Sequence, residues 1–445
     1  MNVIKLLRQK WNGTMEFKKQ HGWKKTIIVI KRTLLKQPVN DLFIIPTLPN
    51  VPMICTSGVQ QLLDIQFRYL QSIPYIRIQD DVNRLNLVLD SMEINTLLEG
   101  KMEALIIATE YAKQNEMTLR IITRNASANP SNYRKLLAWF GMENYTNIEF
   151  YSDYDRDVNG DIQYKLEISA KDVFMVTSWQ SALVLKEMPI DNRVYFLITD
   201  ASSVKNETGI NEFLCEQVTQ SDDIRFIVSS SSLYNYIMKN IEFKAGSAIY
   251  YNPIIFSDLI LTDKEQDDDR KSLVFYSDVS KDEEMFYYGL QVLDYAVRTG
   301  VINKEEWKIY YTSHNISNIT FDNGYEAQRI EVNSLEEYEK FLNQADVSLV
   351  LNATPHFSRV VYDLSAHNTV VLTNAYKNKT EFEEGNNVIV SNLNKNELAK
   401  NLGRALKLAK NIKKKKDNYD KKEIKQLRDK ELKKIMAFMQ ERENV

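Results

Sequence analysis

Residues 84–124 read RLNLVLDSMEINTLLEGKMEALIIATEYAKQNEMTLRIITR, and this stretch decides the fold. It begins with an apolar run over 84–92, continues with a segment whose apolar residues recur at helical spacing, and ends with a second apolar run over 118–124. Two short apolar runs with an amphipathic helix between them are typical of a β–α–β unit, whose strands lie parallel in one sheet. The stretch therefore predicts the opening of a Rossmann-like parallel sheet.

The same alternation of strands and helices continues along the chain and then begins a second time. It is carried on by KLLAWFGM, NIEFYSD, DVFMVTSWQSALVLKEM, RVYFLITD and IRFIVSSSSLYNYIMKN. The charged stretch TDKEQDDDRK, residues 262–271, interrupts the pattern, and a second series follows from SLVFYSD onward. Two consecutive α/β domains predict a cleft at the carboxyl ends of both sheets, where ligands bind.

These patterns divide the chain into four segments. We predict a basic helical extension with short strands over 1–83 and an N-terminal Rossmann-like domain over 84–262. A C-terminal Rossmann-like domain follows over 263–410, and a basic C-terminal helix over 411–445. The final helix and the lysine run before it are either a second membrane patch or a solvated helix.

Charge is distributed unevenly along the 445 residues, although the net charge is only −3. Residues 1–36 carry +9 and residues 404–445 carry +8, which leaves −20 for residues 37–403. An acidic body without a zinc finger or a basic stacking motif argues against a nucleic-acid partner. The two cysteines, Cys55 and Cys215, are too far apart in the sequence for a disulfide framework or a cysteine-based zinc site, which is typical of a cytoplasmic protein.

The basic segment at the start of the chain has the composition of an interfacial helix. Among its lysines it spaces the apolar residues Ile4, Leu7, Trp11, Phe17, Trp23, Ile27, Ile30 and Leu34. Residues 1–36 either make a peripheral contact with an anionic membrane or pack on their own domain. The run TIIVI is too short for a signal sequence or a membrane span. We therefore expect a cytoplasmic protein, at the inner face of the cell membrane in the first interpretation.

The stretch ATPHFSRVVYDLSAHNTVVLTN, residues 353–374, carries the candidate ligand site. It follows a predicted buried strand over 347–352, which ends before Pro355. Ser358 is placed to cap the helix that begins there. The first N–H groups of such a helix provide a binding site for phosphate.

Asp363 lies five residues after Ser358, about one and a half helical turns further. Its carboxylate can accept hydrogen bonds from the two hydroxyls of a ribose, whereas His356, Ser358 and Arg359 suit a pyrophosphate. The arrangement predicts a nucleotide-sugar site. In the alternative interpretation, His356 caps the strand and Asp363 faces water.

Two patterns resemble metal sites and favour structural interpretations. DRDVNGD, residues 155–161, nearly matches a calcium loop, but Leu166 stands where the bidentate Glu is required, and Asn159-Gly160 suits a β-hairpin turn. The three aspartates 267–269 lie in the charged linker rather than after a strand. The four histidines show no ligand spacing. We therefore predict no metal and no cofactor.

The order of several motifs resembles that of the WsaF-type rhamnosyltransferases, bacterial GT-B enzymes of glycosyltransferase family 4 that use dTDP-rhamnose. The family runs a strand, then Pro-His-Pro-Ser-Tyr-Pro-Pro-Leu-Glu-Met-Ala, then a strand ending in Val-Val-Thr-Asn, with a Tyr and an Asn-Lys soon after. This chain has Pro355-His356, Ser358 and Asp363, then VVLTN and AYKNK. FLNQADVSLVL, LVFYSD, AKDVFMVTSWQSAL and VYFLITD also resemble family segments, so the resemblance spans about residues 84–410.

The resemblance implies a metal-independent transfer of rhamnose from dTDP-rhamnose to a growing bacterial surface polysaccharide or lipid-linked acceptor. The acceptor would enter near Trp179 and Asp200, and the candidate catalytic residues are Asp200 and His356. The candidate donor-binding residues are Gly100, Lys101, Tyr276, Ser277, Lys281, His356, Ser358, Arg359, Asp363, Thr373 and Asn374. The resemblance also implies that the C-terminal helix crosses back to the first domain.

Several residues depart from the family pattern around the donor diphosphate. Glu99-Gly100 stands where the family has Gly-Gly, and Asp278 stands where it has an Arg. An acid repels a diphosphate unless it turns away, and losing the Arg removes a bidentate contact, for which Lys281 is a candidate replacement. Two interpretations follow. The protein is an active transferase with an altered donor pocket, or it no longer transfers sugar and serves as a binding or scaffold subunit in polysaccharide assembly at the membrane.

Overall fold

A computed structural model provides the coordinates, and it divides the chain into two compact units, residues 1–68 and 69–445. Described are residues 59, 67–79, 82–94, 97–142, 145–154, 165–205, 208–241, 243, 247–257, 270–313, 316–317, 319–383, 385–412 and 421–441. Outside the described residues lie the basic segment 1–36, the calcium-like loop 155–161, the aspartates 267–269, the linker up to residue 269, Lys413–Lys416, Cys55, His21, His314 and the side chain of Glu99.

Seven parallel strands form the first sheet within the described part of the chain, in the order β4-β3-β2-β6-β7-β8-β9. Their bounds are Arg84–Leu89 (β2), Thr118–Thr123 (β3), Ile148–Ser152 (β4), Val173–Val176 (β6), Val194–Ile198 (β7), Ile224–Ser229 (β8) and Ala248–Tyr251 (β9). A separate parallel pair joins β1, Tyr75–Arg77, to β5, Leu166–Ile168. Every residue of β2 is buried, as in a parallel strand covered by helices on both faces.

Helices connect these strands in sequence order. They are Met102–Gln114 (α1), Pro130–Trp139 (α2), Trp179–Glu187 (α3), Ser202–Lys205 (α4), Ile210–Thr219 (α5) and Ser231–Asn240 (α6). The helix predicted from about residue 95 begins only at Met102, after a wide helical turn over Leu97–Lys101. Gly100 has a φ of +100° there, which a right-handed α-helix excludes.

The second sheet follows the same plan in the C-terminal half. Its order is β12-β13-β11-β10-β14-β15-β16, parallel except for the β12–β13 pair. The strands are Lys271–Tyr276 (β10), Trp307–Tyr311 (β11), Ile319–Thr320 (β12), Glu326–Arg329 (β13), Val347–Val350 (β14), Val370–Asn374 (β15) and Val388–Ser391 (β16). The helices are Phe286–Arg298 (α7), Leu335–Gln344 (α8), Arg359–Ala366 (α9) and Lys395–Asn411 (α10).

The chain passes between the two sheets through a 3₁₀ turn, Pro253–Phe256, all of whose residues are buried. The C-terminal helix α11, Lys421–Gln440, packs on the first domain, as the resemblance implies. Tyr195 donates a hydrogen bond from its hydroxyl to the carbonyl of Met439 at 2.5 Å, and Arg225 donates to the carbonyl of Phe438 at 2.6 Å. The helix is therefore not fully solvated, and a membrane patch on its exposed face stays a prediction.

The strand orders fix where a ligand can bind. In each sheet the first long strand, β2 or β10, lies in the middle, and the later strands extend from it in both directions. At this reversal of strand order the loops after the neighbouring strands diverge and leave a crevice at their carboxyl ends.

Among the helices that the structure describes, none combines the length and the apolar composition of a membrane span.

Candidate active site

Asp200 and His356 belong to different domains and meet at hydrogen-bond distance. Asp200 follows β7, and its Oδ1 accepts the backbone N–H of Ser202 at 2.7 Å. Its Oδ2 lies 3.3 Å from Nε2 of His356, which follows β14; the imidazole is buried, whereas the Asp200 side chain is 40% exposed. Burial acts to raise the pKa of Asp200, but His356 and the hydrogen bonds from Ser202 outweigh it and lower the pKa below its usual range. Asp200 is therefore an ionised carboxylate that orients the imidazole.

Two buried polar atoms in the same segment have no hydrogen-bond partner among the described residues, Nδ1 of His356 and Oγ of Ser358. The prediction that the Ser358 side chain caps α9 is wrong. The N–H of Val361, which a cap would bind, donates instead to the carbonyl oxygen of Ser358 at 3.0 Å. The first amides of α9 have no acceptor within the helix. An imidazole nitrogen, a hydroxyl and helix-start amides thus lie within one short segment, which suits an anionic group.

Arg359 and Asp363, in contrast, bind each other and other side chains. Asp363 is 2% exposed, and its oxygens accept hydrogen bonds from Ser257 and Tyr338, both at 2.7 Å. Arg359 donates to the same carboxylate from Nε at 3.1 Å and from Nη2 at 2.8 Å. Protein side chains thus occupy the acceptor positions of Asp363, and the guanidinium of Arg359 is paired within the protein. That Asp363 binds ribose and Arg359 binds pyrophosphate stay predictions.

Arg359 also reaches the N-terminal domain. Its Nη1 lies 2.7 Å from Oε1 of Glu103 on α1 and donates to the carbonyl of Pro253 at 3.1 Å. The hydroxyl of Tyr251 donates to the second oxygen of Glu103. Burial raises the pKa of Glu103, although Arg359 and Tyr251 act to lower it. We call these buried side chains the Arg359 cluster: Glu103, Tyr251, Ser257, Tyr338, Arg359 and Asp363.

Gly100 and Lys101 lie at the start of α1. A Cβ on Gly100 would come within 2.9 Å of Oγ1 of Thr199, the residue before Asp200, so only glycine fits this approach. The ammonium of Lys101 donates to the carbonyl of Thr177 at 3.0 Å. Both residues therefore pack the β2–α1 turn against the neighbouring strand ends, and neither contact tests the prediction that they bind the donor.

The loop after β10 carries three more predicted donor residues. Tyr276 packs on Phe341 with ring centroids 5.3 Å apart, and Ser277 donates from Oγ to the carbonyl of Glu284 at 2.9 Å. Lys281 lies 3.5 Å from the Glu284 carboxylate. This ion pair opposes the prediction that Lys281 replaces the missing Arg, since its charge is already partly neutralised.

Thr373 and Asn374 end β15 and are buried. Oδ1 of Asn374 accepts the N–H of Asn352 at 2.8 Å, and its Nδ2 donates to the carbonyl of Asn352 at 3.1 Å, so Asn374 joins two strand ends. Trp179 is only 2% exposed and packs in the core of the first domain. In this structure the Trp179 side chain contributes to the domain core, and its contact with an acceptor stays a prediction.

The comparison with known families concerns the part of the chain that contains His356. Residues 271–403 match the family model described as WsaF, C-terminal domain. This segment is similar to a WsaF-type C-terminal domain. The match covers the second sheet, α9 and the loop after β15, and it confirms the resemblance there. No curated protein matches the chain.

The solved structures that resemble the chain show that the fold is GT-B, as predicted. TarM superposes with a TM-score of 0.55 and 8% identity, over 81% of this chain and 99% of that structure. An α,α-trehalose-phosphate synthase (UDP-forming) from Burkholderia xenovorans gives 0.51 and 11%, over 80% and 98%. The corresponding protein of Burkholderia vietnamiensis gives 0.50 and 12%, over 80% and 96%.

Several residues at this site were not singled out in the sequence. Lys379 donates from its buried ammonium to the carbonyl of Asn352 at 2.7 Å. Glu103, Ser257 and Tyr338 complete the Arg359 cluster from other elements. The AYKNK motif was a usable signal for Lys379, whereas nothing local marks the other three. Within the described residues, no group of three or more His, Cys, Asp or Glu side chains is placed to hold a metal ion.

Proposed function

We propose that the protein is a glycosyltransferase that moves a sugar from a nucleotide-sugar donor to an acceptor bound between the two domains. The observation that carries this proposal is the contact of Asp200 with His356, beside the unpartnered Nδ1 of His356 and Oγ of Ser358. The GT-B fold and the WsaF-type C-terminal domain support it.

In the proposed mechanism, the diphosphate of the donor lies at the start of α9. Asp200 accepts the Nε2–H of His356, which leaves Nδ1 to donate to a phosphate oxygen when the ring is protonated. Ser358 and the first amides of α9 donate to other phosphate oxygens. These donors stabilise the charge that the leaving diphosphate gains as the bond to the sugar breaks. Positioning and electrostatic stabilisation then suffice, without a metal or cofactor.

The finer part of the proposal is that the donor is dTDP-rhamnose and the acceptor is a growing bacterial surface polysaccharide or a lipid-linked precursor. The WsaF-type match supports it. The transfer would take place in the cytoplasm, at the inner face of the membrane, to which residues 1–36 would bring the enzyme.

Donor binding is the test of this function. Purified protein is heated with dTDP-rhamnose, UDP-glucose or GDP-mannose, and a donor at a hundred times its Kd should stabilise it by about 2.7 kcal/mol. His356→Gln should abolish most of this shift. Lys410→Gln is the matched control. Lys410 pairs with Glu306, which precedes β11 and therefore lies at the amino-terminal ends of the strands, opposite the candidate site. If none of the three nucleotide sugars raises the melting temperature, the transferase proposal fails and a non-catalytic binding or scaffold subunit is favoured.

Membrane contact is tested separately with the full chain and a chain that lacks residues 1–36. Vesicles that contain anionic phospholipid should float the full chain at low salt, and less of it at high salt, because charge attraction is screened. Equal flotation of both chains would remove the membrane part of the proposal and leave the transferase part intact.

A further inference from the structure

The loop of residues 375–379, which follows β15, touches both domains. Its ends are joined by two backbone hydrogen bonds between Tyr376 and Lys379, at 3.0 and 2.9 Å. Lys377 in the middle has a φ of +49°, a left-handed conformation that is unfavourable for a non-glycine residue. Such conformations persist where surrounding contacts hold them, and they are found often at functional sites.

On its inner side the loop fixes the strand end that leads to His356. Lys379 is 0% exposed, and its ammonium donates to the carbonyl of Asn352 at 2.7 Å. The same carbonyl accepts a hydrogen bond from Asn374. Burying an ammonium is costly, and a neutral donor would satisfy this carbonyl at lower cost. The contact therefore calls for a reason beyond stability.

Hydrogen bonds continue from Asn352 to His356. Oδ1 of Asn352 accepts the N–H of Thr354 at 2.9 Å, and Oγ1 of Thr354 donates to the carbonyl of His356 at 3.0 Å. The N–H of Ala353 is also held, by the carbonyl of Glu283 at 2.8 Å. Lys379 thus acts on the backbone that places the imidazole opposite Asp200.

On its outer side the loop contacts the N-terminal domain. The ammonium of Lys377 lies 3.4 Å from the hydroxyl of Tyr236 on α6 and 5.3 Å from the centre of its ring. It also lies 5.1 Å from the ring of Tyr376 in its own loop. A lysine between an aromatic ring of each domain joins the two sides of the cleft.

We propose that the 375–379 loop is a positioning element that couples the approach of the two domains to the placement of His356. Lys377 holds the loop against Tyr236, and Lys379 transmits its position through Asn352 and Thr354 to His356. Neither lysine is a catalytic residue. The inference rests on the proposed function only in giving His356 a role in transfer; the coupling itself is measurable without a donor.

The test follows His356 by NMR in full-length protein with ¹³C-labelled histidine. The chain has four histidines, and His356→Gln identifies the resonance. Lys379→Met should move the His356 resonance and leave that of the His367 ring unchanged. Lys379→Gln should restore most of the wild-type position, because its amide can donate to Asn352. The control Lys410→Met should change nothing. An unmoved His356 resonance in Lys379→Met, even with a lower melting temperature, would overturn the proposal.

Further variants keep the test decisive. If Lys379→Met does not fold, Asn374→Ala takes its place, since it removes two other hydrogen bonds to Asn352 and should move the same resonance. Lys377→Ala should shift it in the same direction, and an unmoved resonance there refutes the coupling between domains. Once a donor is identified, Lys379→Met should lower kcat by about 10- to 100-fold with little change in KM, as expected for a misplaced group. If dTDP-rhamnose, UDP-glucose and GDP-mannose all fail to bind while the resonance still moves, the transferase proposal fails and the positioning stands.

Discussion

At the scale of single residues, Arg359 neutralises two buried carboxylates, Glu103 and Asp363, with one guanidinium. We expect Arg359→Met to lower the free energy of unfolding by about 3–5 kcal/mol at pH 7.5, since it leaves buried charges unpaired. Burial raises the pKa of Glu103, and without Arg359 to oppose it this carboxyl would hold a proton in the folded state above its usual pKa. The folded variant would bind more protons than the unfolded one, so its deficit should shrink as the pH falls toward 5.

Urea unfolding at several pH values measures this effect. Arg298→Met is the matched control, because Arg298 pairs with Asp294 on the exposed face of α7. An exposed pair contributes about 0–1 kcal/mol, so the control should change little. A deficit of Arg359→Met that is equal at pH 5 and pH 8 would contradict the buried-charge explanation.

A second prediction for a single residue concerns Lys379, whose contribution to stability should change in a higher pH range. Burial lowers the pKa of Lys379 from 10.5 to about 7. Between these values the unfolded chain binds a proton that the folded chain does not, so stability rises with pH, by at most about 1.4 kcal/mol per pH unit. The free energy of unfolding of the wild type minus that of Lys379→Met, measured from pH 7 to 9, should therefore increase. Parallel curves would show that Lys379 keeps its proton in the folded state.

The residue scale also shows how far the sequence predicts the site. Asp200 and His356 were both predicted, and the structure brings them together. Arg359 and Asp363 stand four residues apart in a helix, a spacing that favours an ion pair, so their mutual contact was readable in the sequence. The contact that holds this pair against the first domain could not be predicted from the sequence, because Glu103 lies 256 residues earlier in the chain. Contacts at such separations depend on the packing of whole domains.

At the scale of elements, α7 packs against β10 through a glycine. A Cβ on Gly289 would come within 2.2 Å of Cζ of Phe275. Gly289→Ala should therefore destabilise the protein by about 1–3 kcal/mol, as overpacking does. Gly403→Ala, also within a helix, is the matched control: its Cβ would lie 3.3 Å from Cγ1 of the partly buried Val301, a contact much less close than that of Gly289. Alanine favours helix there by up to about 1 kcal/mol. Equal thermal stabilities of the two variants would contradict the packing argument.

The prediction of elements succeeded for the interior strands and missed two edge strands. Strands such as β2, β14 and β15 are rich in apolar residues and buried along their whole length, as expected where helices cover both faces of a parallel sheet. The strands β9 and β16 were not predicted. Both lie at sheet edges, are only four residues long, and have three residues that are only partly buried or exposed.

At the scale of the whole molecule, the chain crosses twice between the sheets, once through Pro253–Phe256 and once to reach α11. The helix α11, which follows the second crossing, has a buried apolar face that contains Leu432, Ile435, Met436, Phe438 and Met439. Arg428 adds a hydrogen bond from Nε to the carbonyl of Ile255 at 2.6 Å, within the first crossing. The helix therefore braces the segment about which two GT-B domains would turn.

Releasing α11 should test this bracing role. Ile435→Asp places a charge where the side chain is 0% exposed, and burying an unpaired carboxylate costs far more than exposing it. We expect the helix to detach, so that trypsin cuts within 421–440 at least about tenfold faster, which corresponds to about 1.4 kcal/mol. Ala437→Asp, on the exposed face of the same helix, should be cut at the wild-type rate. If release of α11 left the His356 resonance unmoved, bracing and active-site geometry would be independent; movement would show that the helix restrains the approach of the two domains.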